Sequence, residues 1–509
     1  MPISNLLIQI IGVIVVFGVA IYGLQSGRLA VQLGLLAAPF IFFLINNPSV
    51  WLIVILGLIQ SKLIFPGIPQ GLHVVHVMMA GFTAMMLARN CIVKTNSPRW
   101  LVSDYFLFGF IAVLIITALH RGIGIRALGG GQWGGMGYIK LLVSAGFLIT
   151  AKYVILSQKQ IRIAIILMIA LSLLPFFAQT IFTLSGGKIY HQYMFVEAYA
   201  SGLLSSLQAS EGGGGVMRIQ GIGGLAFSIL MAAIVLIKPE GMRKAVIGGA
   251  CLLAIALAGL SGFRGQILLI LGTLTLYAIF SSRSSRWQRL LLAGAIAFVG
   301  LLLMYPLMSY LPPAVQRAFS FLPGADIPIY IQMDAQHSSY WRTQVWRLAW
   351  NEVPDYLWIG KGFSFNPNET MSFSVTRDTI LQAFLSHNYH SGPLTLLLDL
   401  GVPGLVFGSG FLLFSALEIY RTMDRITTDP VMERFYRFMA ACYIYSIPSF
   451  FLIFGDARES FSLLFVWLAM LKAVQLSNAA IATSQRKAEA AALAAPVIPL
   501  KPVRRYTYT

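Results

Sequence analysis

Apolar residues fall in long, charge-poor runs, separated by short clusters of charged, proline and glycine positions. A helix needs about 20 such residues to cross ~30 Å of hydrocarbon. The runs predict spans at roughly 6–24, 29–45, 49–66, 71–88, 101–119, 137–151, 163–182, 222–237, 245–261, 266–281, 290–311, 394–419, 438–454 and 460–476. Pro66, Gly67 and Pro69 interrupt the third and fourth, which leaves one of them open to a re-entrant form. The expectation is an all-α polytopic membrane protein with about 12–14 transmembrane helices. Helices 1–11 occupy 1–311, one large loop occupies 312–393, helices 12–14 occupy 394–476, and a basic tail occupies 477–509.

Three segments between or after the spans carry patterns of their own. Tyr340 to Trp350 mixes aromatic and charged positions in a way that suits a helix lying on the membrane surface. In the loop 183–221, Glu211 is followed by four glycines, the pattern of a hinge or lid. The last thirty residues are Ala-rich, then Pro- and Arg-containing, and predict a disordered cytoplasmic tail near anionic headgroups.

Composition agrees with the pattern. The chain is 57% hydrophobic and 11% charged, with a mean hydropathy of +0.77. A soluble domain carries about 25% charged residues. The net charge of +18 would suit a polyanion partner such as nucleic acid, but its distribution favours topology instead. Lys and Arg gather in alternate loops, for example Lys238-Arg243-Lys244, Arg283-Arg286-Arg289 and Arg421-Arg425-Arg434-Arg437. Cytoplasmic loops hold the excess of basic residues, so both termini are expected in the cytoplasm and the large loop outside. Nucleic acid is not an expected partner. The run Leu6 to Leu24 lacks a basic leader and a clear cleavage site, so it reads as a retained helix. Cys91, Cys251 and Cys442 have no metal-ligand spacing and suggest neither a disulfide framework nor a metal site.

Candidate chemistry is sparse. Arg264, in Leu260-Ser261-Gly262-Phe263-Arg264-Gly265, lies between two apolar runs on the outer side. Such an arginine either reaches lipid headgroups or clamps an anion. Arg218 and Arg342 pose the same choice. His73 and His76 read as structural contacts within a span, and His120, His191 and His337 are isolated in loops. His387 and His390 stand apart, beside Asn388, Tyr389 and Ser391, just before an apolar run. An imidazole there can accept a proton near neutral pH, or can merely cap the helix that follows. There is no phosphate-binding loop of the Walker type, no HExxH and no DxD pair. Asp104, Asp399 and Asp456 read as isolated carboxylates at the membrane border, which weighs against a proton-driven transporter.

Taken in order, these segments resemble the O-antigen ligase and polymerase family over about residues 215–410. The family's histidine, leucine, acidic residue and two glycines are similar in spacing to His390, Leu394, Asp399, Gly401 and Gly404. Ser391 stands where asparagine is usual. A literal His-Asn pair occurs at His387-Asn388, three residues too early for the glycines. Arg342, Trp346, Pro354 and Gly360-Lys361-Gly362 resemble the family's loop elements. Ser261-Gly262-Phe263-Arg264-Gly265 resembles its Ser-Arg-Gly element, and Arg218 with Gly221 is a fainter match.

The resemblance implies a metal-independent, inverting glycosyltransferase of the GT-C type in the bacterial inner membrane, working at the periplasmic face without a cofactor. The implied donor is an undecaprenyl-diphosphate-linked glycan, and the acceptor a saccharide or lipid A core, with membrane lipids around both. His390 would be the base, and Arg264 and Arg342 would stabilise the leaving diphosphate. Arg218, His387 and Asn388 would help to bind substrate. Chain polymerisation, protein O-glycosylation, and export or flipping of lipid-linked glycans without catalysis stand as alternatives.

Overall fold

The computed structural model describes residues 47–59, 72–92, 100–125, 133–185, 220–281, 304–366, 379–426 and 429–494, with a few isolated positions between them. The expected spans at 6–24 and 29–45, part of 290–303 and most of the glycine-rich loop at 183–221 lie outside the described residues. Arg218 falls in that last stretch.

The described residues form fourteen α-helices and no strand, with one isolated bridge between Trp133 and Phe365. They are α1 (Pro48–Leu58), α2 (Val74–Ile92), α3 (Val102–Arg121), α4 (Met136–Ala151), α5 (Gln158–Leu184), α6 (Gln220–Leu236) and α7 (Arg243–Leu260). There follow α8 (Arg264–Phe280), α9 (Pro313–Ala318), α10 (Ile329–Glu352), α11 (Thr379–Leu385), α12 (Gly392–Thr422), α13 (Pro430–Leu452) and α14 (Ala457–Ala494). Six helices are long and apolar enough to cross a membrane: α2, α3, α5, α7, α12 and α14. Helices α1, α4, α6 and α8 are apolar but shorter. With 11 residues, α1 spans about 16 Å at 1.5 Å per residue, too little to cross alone. The chain is an all-α, multi-pass membrane protein.

Helices α13 and α14 form the centre, where Phe435, Tyr436, Phe438, Tyr443, Phe465 and Trp467 are buried. Helix α3 lies along α12, α4 between α2 and α14, and α8 against α13. The outward sides expose Ile116 and Leu119 of α3, Ile163 and Ile166 of α5 and Leu252 of α7, as lipid-facing surfaces do.

Charges inside are paired. Glu418 accepts from Ser103 Oγ at 2.6 Å and from Lys472 Nζ at 2.9 Å. The carboxylates expected to be isolated are not. Asp104 takes the backbone N–H of Leu101 at 2.9 Å and faces Lys152, Asp399 meets His387, and Asp456 pairs with Arg458 at 2.8 Å. An unpaired carboxylate at membrane depth is too costly to leave alone.

Two boundaries also differ from expectation. The tail is not disordered from its start, since α14 continues without a break to Ala494. Helix α13 begins at Pro430, ahead of the expected 438, because Asp429 caps it through the N–H groups of Val431 and Met432 at 2.8 and 2.9 Å. Its charged first turns are used to satisfy other helix ends. Arg434 donates to Val235 O near the end of α6 at 2.9 and 3.0 Å, and Arg437 to Ser281 O just past α8 at 3.4 Å.

Helix α12 is broken in its third turn, and the break helps to build the site. Gly401 has φ 72, ψ −175, and Pro403 has no N–H to offer the carbonyl of Asp399. Three carbonyl and amide groups thereby lose their helical partners. Gly362 N donates to Asp399 O at 2.9 Å, Lys361 N donates to Leu398 O at 2.7 Å, and Val402 N turns to Leu357 O at 2.7 Å. The Gly360-Lys361-Gly362 segment therefore completes the broken helix. Gly360 must be glycine, because a Cβ would sit 2.1 Å from Asp399 O.

Candidate active site

The segment 386–391 is a short irregular turn between α11 and α12. Both of its histidines have left-handed backbone, with φ 59 at His387 and φ 53 at His390. For residues with a side chain that conformation costs about 1–2 kcal/mol each and persists only where surroundings enforce it. Here they do. Arg458 Nη2 donates to His387 O at 2.9 Å and its Nη1 to Ser386 O at 3.3 Å, while Asp456 holds the guanidinium. Trp346 Nε1 donates to Tyr389 O at 2.7 Å, and Asn388 N closes α11 on Ala383 O at 2.8 Å.

The two histidines have opposite surroundings. His387 is 1% exposed, and its Nδ1 lies 2.6 Å from Asp399 Oδ1, with Tyr389 Oη 3.3 Å from the same oxygen. Asp399 and Tyr389 are fully buried. This cluster is enclosed by protein.

His390 is partly buried, with its ring between Trp341 at 5.1 Å and Phe454 at 4.8 Å between centroids. The ring makes no hydrogen bond with the described residues, and its Nδ1 is buried without a partner. Burial, with the positive charge of Arg342 added to it, lowers the His390 pKa to about 4. The imidazole is therefore neutral at neutral pH, with no internal partner competing for its lone pair.

Arginines converge on the same side. Arg342 projects from α10, one turn before Trp346, and makes no hydrogen bond or ion pair with the described residues. Burial and the neighbouring Arg317 lower its pKa from the ordinary value. Its charge also acts on Arg264. Arg264, the first residue of α8, donates from Nε and Nη2 to Arg317 O at 3.3 and 3.2 Å, and from Nη2 to Ser320 Oγ at 2.6 Å. Arg317, in α9, pairs with Asp334 of α10 and donates to Gly262 O at 3.3 Å. Three guanidinium groups thus share one carboxylate among the described residues, which leaves an excess of positive charge suited to a multiply charged anion.

Beside this cluster a groove of about 540 Å³ runs between α10 and the start of α12, walled by Trp346, Trp350, Pro393, Leu394 and Leu397 and reaching Ser391. It joins the reactive turn to an apolar surface.

Of the expected site residues, the structure brings His390, Arg342 and Arg264 into one region. It seats His387 behind them in the protein, leaves Asn388 at the edge of the turn, and does not describe Arg218. Gly221 packs on the backbone of Pro175 and Phe176, with its N–H bonded to Gln179 Oε1 at 2.7 Å. Sequence reasoning missed Arg317, Asp334, Tyr389 and Arg458. Nothing in the pattern distinguishes Arg317 from a solvated loop charge.

No curated protein matches the chain in sequence. Residues 249–407 match the family model described as O-antigen ligase. That stretch runs from within α7 to the middle of α12 and holds Arg264, Arg317, Arg342, His387, His390 and Asp399. Over that stretch the chain is similar to the O-antigen ligase family.

Proposed function

We propose that this protein transfers a glycan from an undecaprenyl-diphosphate carrier to a saccharide hydroxyl, such as one on lipid A core, at the periplasmic face of the bacterial inner membrane. The observation that carries the proposal is the neutral, unpartnered imidazole of His390 beside the under-neutralised arginines. An acyclic or aliphatic anion would need only the arginines. A hydroxyl that must lose a proton as it attacks needs the base as well.

The acceptor hydroxyl gives its proton to His390 as its oxygen bonds to the anomeric carbon. The bond from that carbon to the diphosphate oxygen breaks on the opposite face, so the centre inverts. Both electrons leave with the polyprenyl diphosphate, whose growing charge meets Arg342 and Arg264. Arg317 orients Arg264 through its carbonyl and holds α9 to α10 through Asp334. Two fixed guanidinium groups can serve where other transferases use a divalent ion, and the reaction is proposed to be metal-independent. The apolar groove along α10 suits a substrate that is lipid at one end and sugar at the other.

The test is incubation of purified protein with lipid-linked glycan and candidate acceptors, following polyprenyl diphosphate release with and without EDTA. Stoichiometric release with product formation, unaffected by EDTA, is expected. Donor binding without release under every acceptor would overturn catalysis and favour export or flipping. Loss of activity to EDTA, restored by magnesium or manganese, would overturn the arginine role.

A further inference from the structure

A second basic cavity lies among the ends of α5, α6, α7 and α13, and only α7 leads from it towards the candidate active site. It has a volume of about 540 Å³ and is lined by Arg162 and Gln158 of α5, Leu236 of α6, Ile237 and Lys238 just beyond it, Arg243 of α7, and Pro430, Val431 and Arg434 of α13. Arg243 is the first residue of α7 and Leu260 the last. At 1.5 Å per residue the cavity stands about 27 Å from the Ser261–Arg264 corner, close to the thickness of the hydrocarbon.

Four cations surround this cavity, and among the described residues no carboxylate lines it. Their partners are uneven. Lys238 pairs with exposed Glu240 at 2.5 Å, and Arg434 spends Nε and Nη2 on Val235 O. The guanidinium groups of Arg162 and Arg243 make no hydrogen bond or ion pair with the described residues. The nearest other charges on α13 are already engaged, Asp429 as the helix cap and Glu433 with Arg437 at 2.7 Å. Leu236, Ile237, Pro430 and Val431 supply an apolar wall directly below the charges.

We propose that this cavity binds the phosphate of an anionic membrane phospholipid, with Arg162 and Arg243 holding the headgroup and the apolar wall receiving the start of an acyl chain. A soluble phosphate would use the cations but gain nothing from the wall. The placement fits a lipid of the leaflet opposite the transfer site. There the bound lipid would join α5 and α7 to the contact that Arg434 of α13 makes with Val235 O of α6. The proposal does not depend on the transfer chemistry.

The experiment measures lipid-dependent thermal stability of the purified full chain in detergent, titrated with phosphatidylglycerol, phosphatidylcholine or inorganic phosphate. Phosphatidylglycerol is expected to raise Tm saturably, and the other two are not. Each surface cation contributes about fivefold to binding anionic lipid, so R162Q/R243Q should weaken the phosphatidylglycerol affinity about 30-fold. The variant R162K/R243K keeps the charge and should retain most of it. Native mass spectrometry counts the bound lipid and covers a variant whose Tm is already altered. An unchanged affinity in R162Q/R243Q would overturn the site. An equal response to inorganic phosphate, or to phosphatidylcholine, would overturn the assignment to an anionic lipid.

Discussion

His387 Nδ1 and Asp399 Oδ1 meet at 2.6 Å between the 386–391 turn and the first part of α12, and neither side chain reaches solvent. The pair ties the left-handed turn to the helix beyond it. Asp399 is held from both directions, because its side chain takes His387 while its backbone carbonyl takes the N–H of Gly362. One residue therefore joins the reactive turn, the broken helix and the Gly360-Lys361-Gly362 segment. His390 stands three residues from His387 on the same turn.

Removing one side of a buried pair costs about 3–5 kcal/mol, because the other is stranded without a partner. Asp399→Ala should therefore lower the thermal midpoint of the purified protein strongly, and transfer should fall with it. Asp399→Asn keeps an oxygen for the imidazole and should fall between wild type and Asp399→Ala. Equal stability of all three proteins, measured by fluorescence-detected size exclusion after heating, would show that the contact does not hold the turn.

The two histidines should fail in different ways. His390→Ala removes the proposed proton acceptor, and loss of a general base costs ~10²–10⁴ in rate. Its fold and its donor affinity should be nearly those of wild type. His387→Ala should instead lose stability, and activity in proportion to the protein that unfolds or misplaces the turn. A His387→Ala protein that is fully stable yet inactive, with His390→Ala active, would reverse the assignment.

The pH dependence carries a sign. Burial and Arg342 both favour neutral His390, so the acid limb of kcat/KM should lie near pH 4, below the ordinary histidine range around 6.5. Taking Arg342 away removes a repulsion against the protonated ring. In Arg342→Gln the limb should move to higher pH, even though the rate is lower throughout. A limb that stays in place, or moves down, would separate His390 from the proton transfer.

Much of the fold was legible in the chain, for a simple physical reason. A span must be apolar over some twenty residues, and such runs survive any packing arrangement. Helix α10 was also visible, because its aromatic and charged positions alternate as a surface helix requires. The early start of α13 was not. Glu433, Arg434 and Arg437 look like loop charges until the carbonyl ends of α6 and α8 are seen beside them. The same applies to Asp399, whose side-chain partner His387 lies in the turn before α12 and whose carbonyl, freed by the break at Gly401 and Pro403, is taken by Gly362. Register singled out His390 over His387 before any geometry was known. What register could not supply was the buried contact that the second histidine makes with Asp399.

The arginines should also separate. Arg264 is bound to Arg317 O and Ser320, so Arg264→Ala removes structural contacts as well as charge and should reduce stability, donor affinity and turnover together. Arg342 has no internal hydrogen bond or ion pair with the described residues to lose. Its guanidinium is held near Arg317 at an electrostatic cost that a bound diphosphate would relieve. Arg342→Ala should therefore leave the thermal midpoint unchanged or slightly raised in the absence of donor. It should still weaken donor binding and lower kcat, because charge that develops on the leaving diphosphate loses its partner. Arg342→Lys should restore affinity in part, since an ammonium supplies the charge without the guanidinium's two parallel hydrogen bonds. The check is a pair of measurements on each variant, the midpoint without ligand and the shift that lipid-linked glycan produces. A large loss of intrinsic stability in Arg342→Ala, with the ligand shift intact, would make Arg342 a structural residue and remove it from the site.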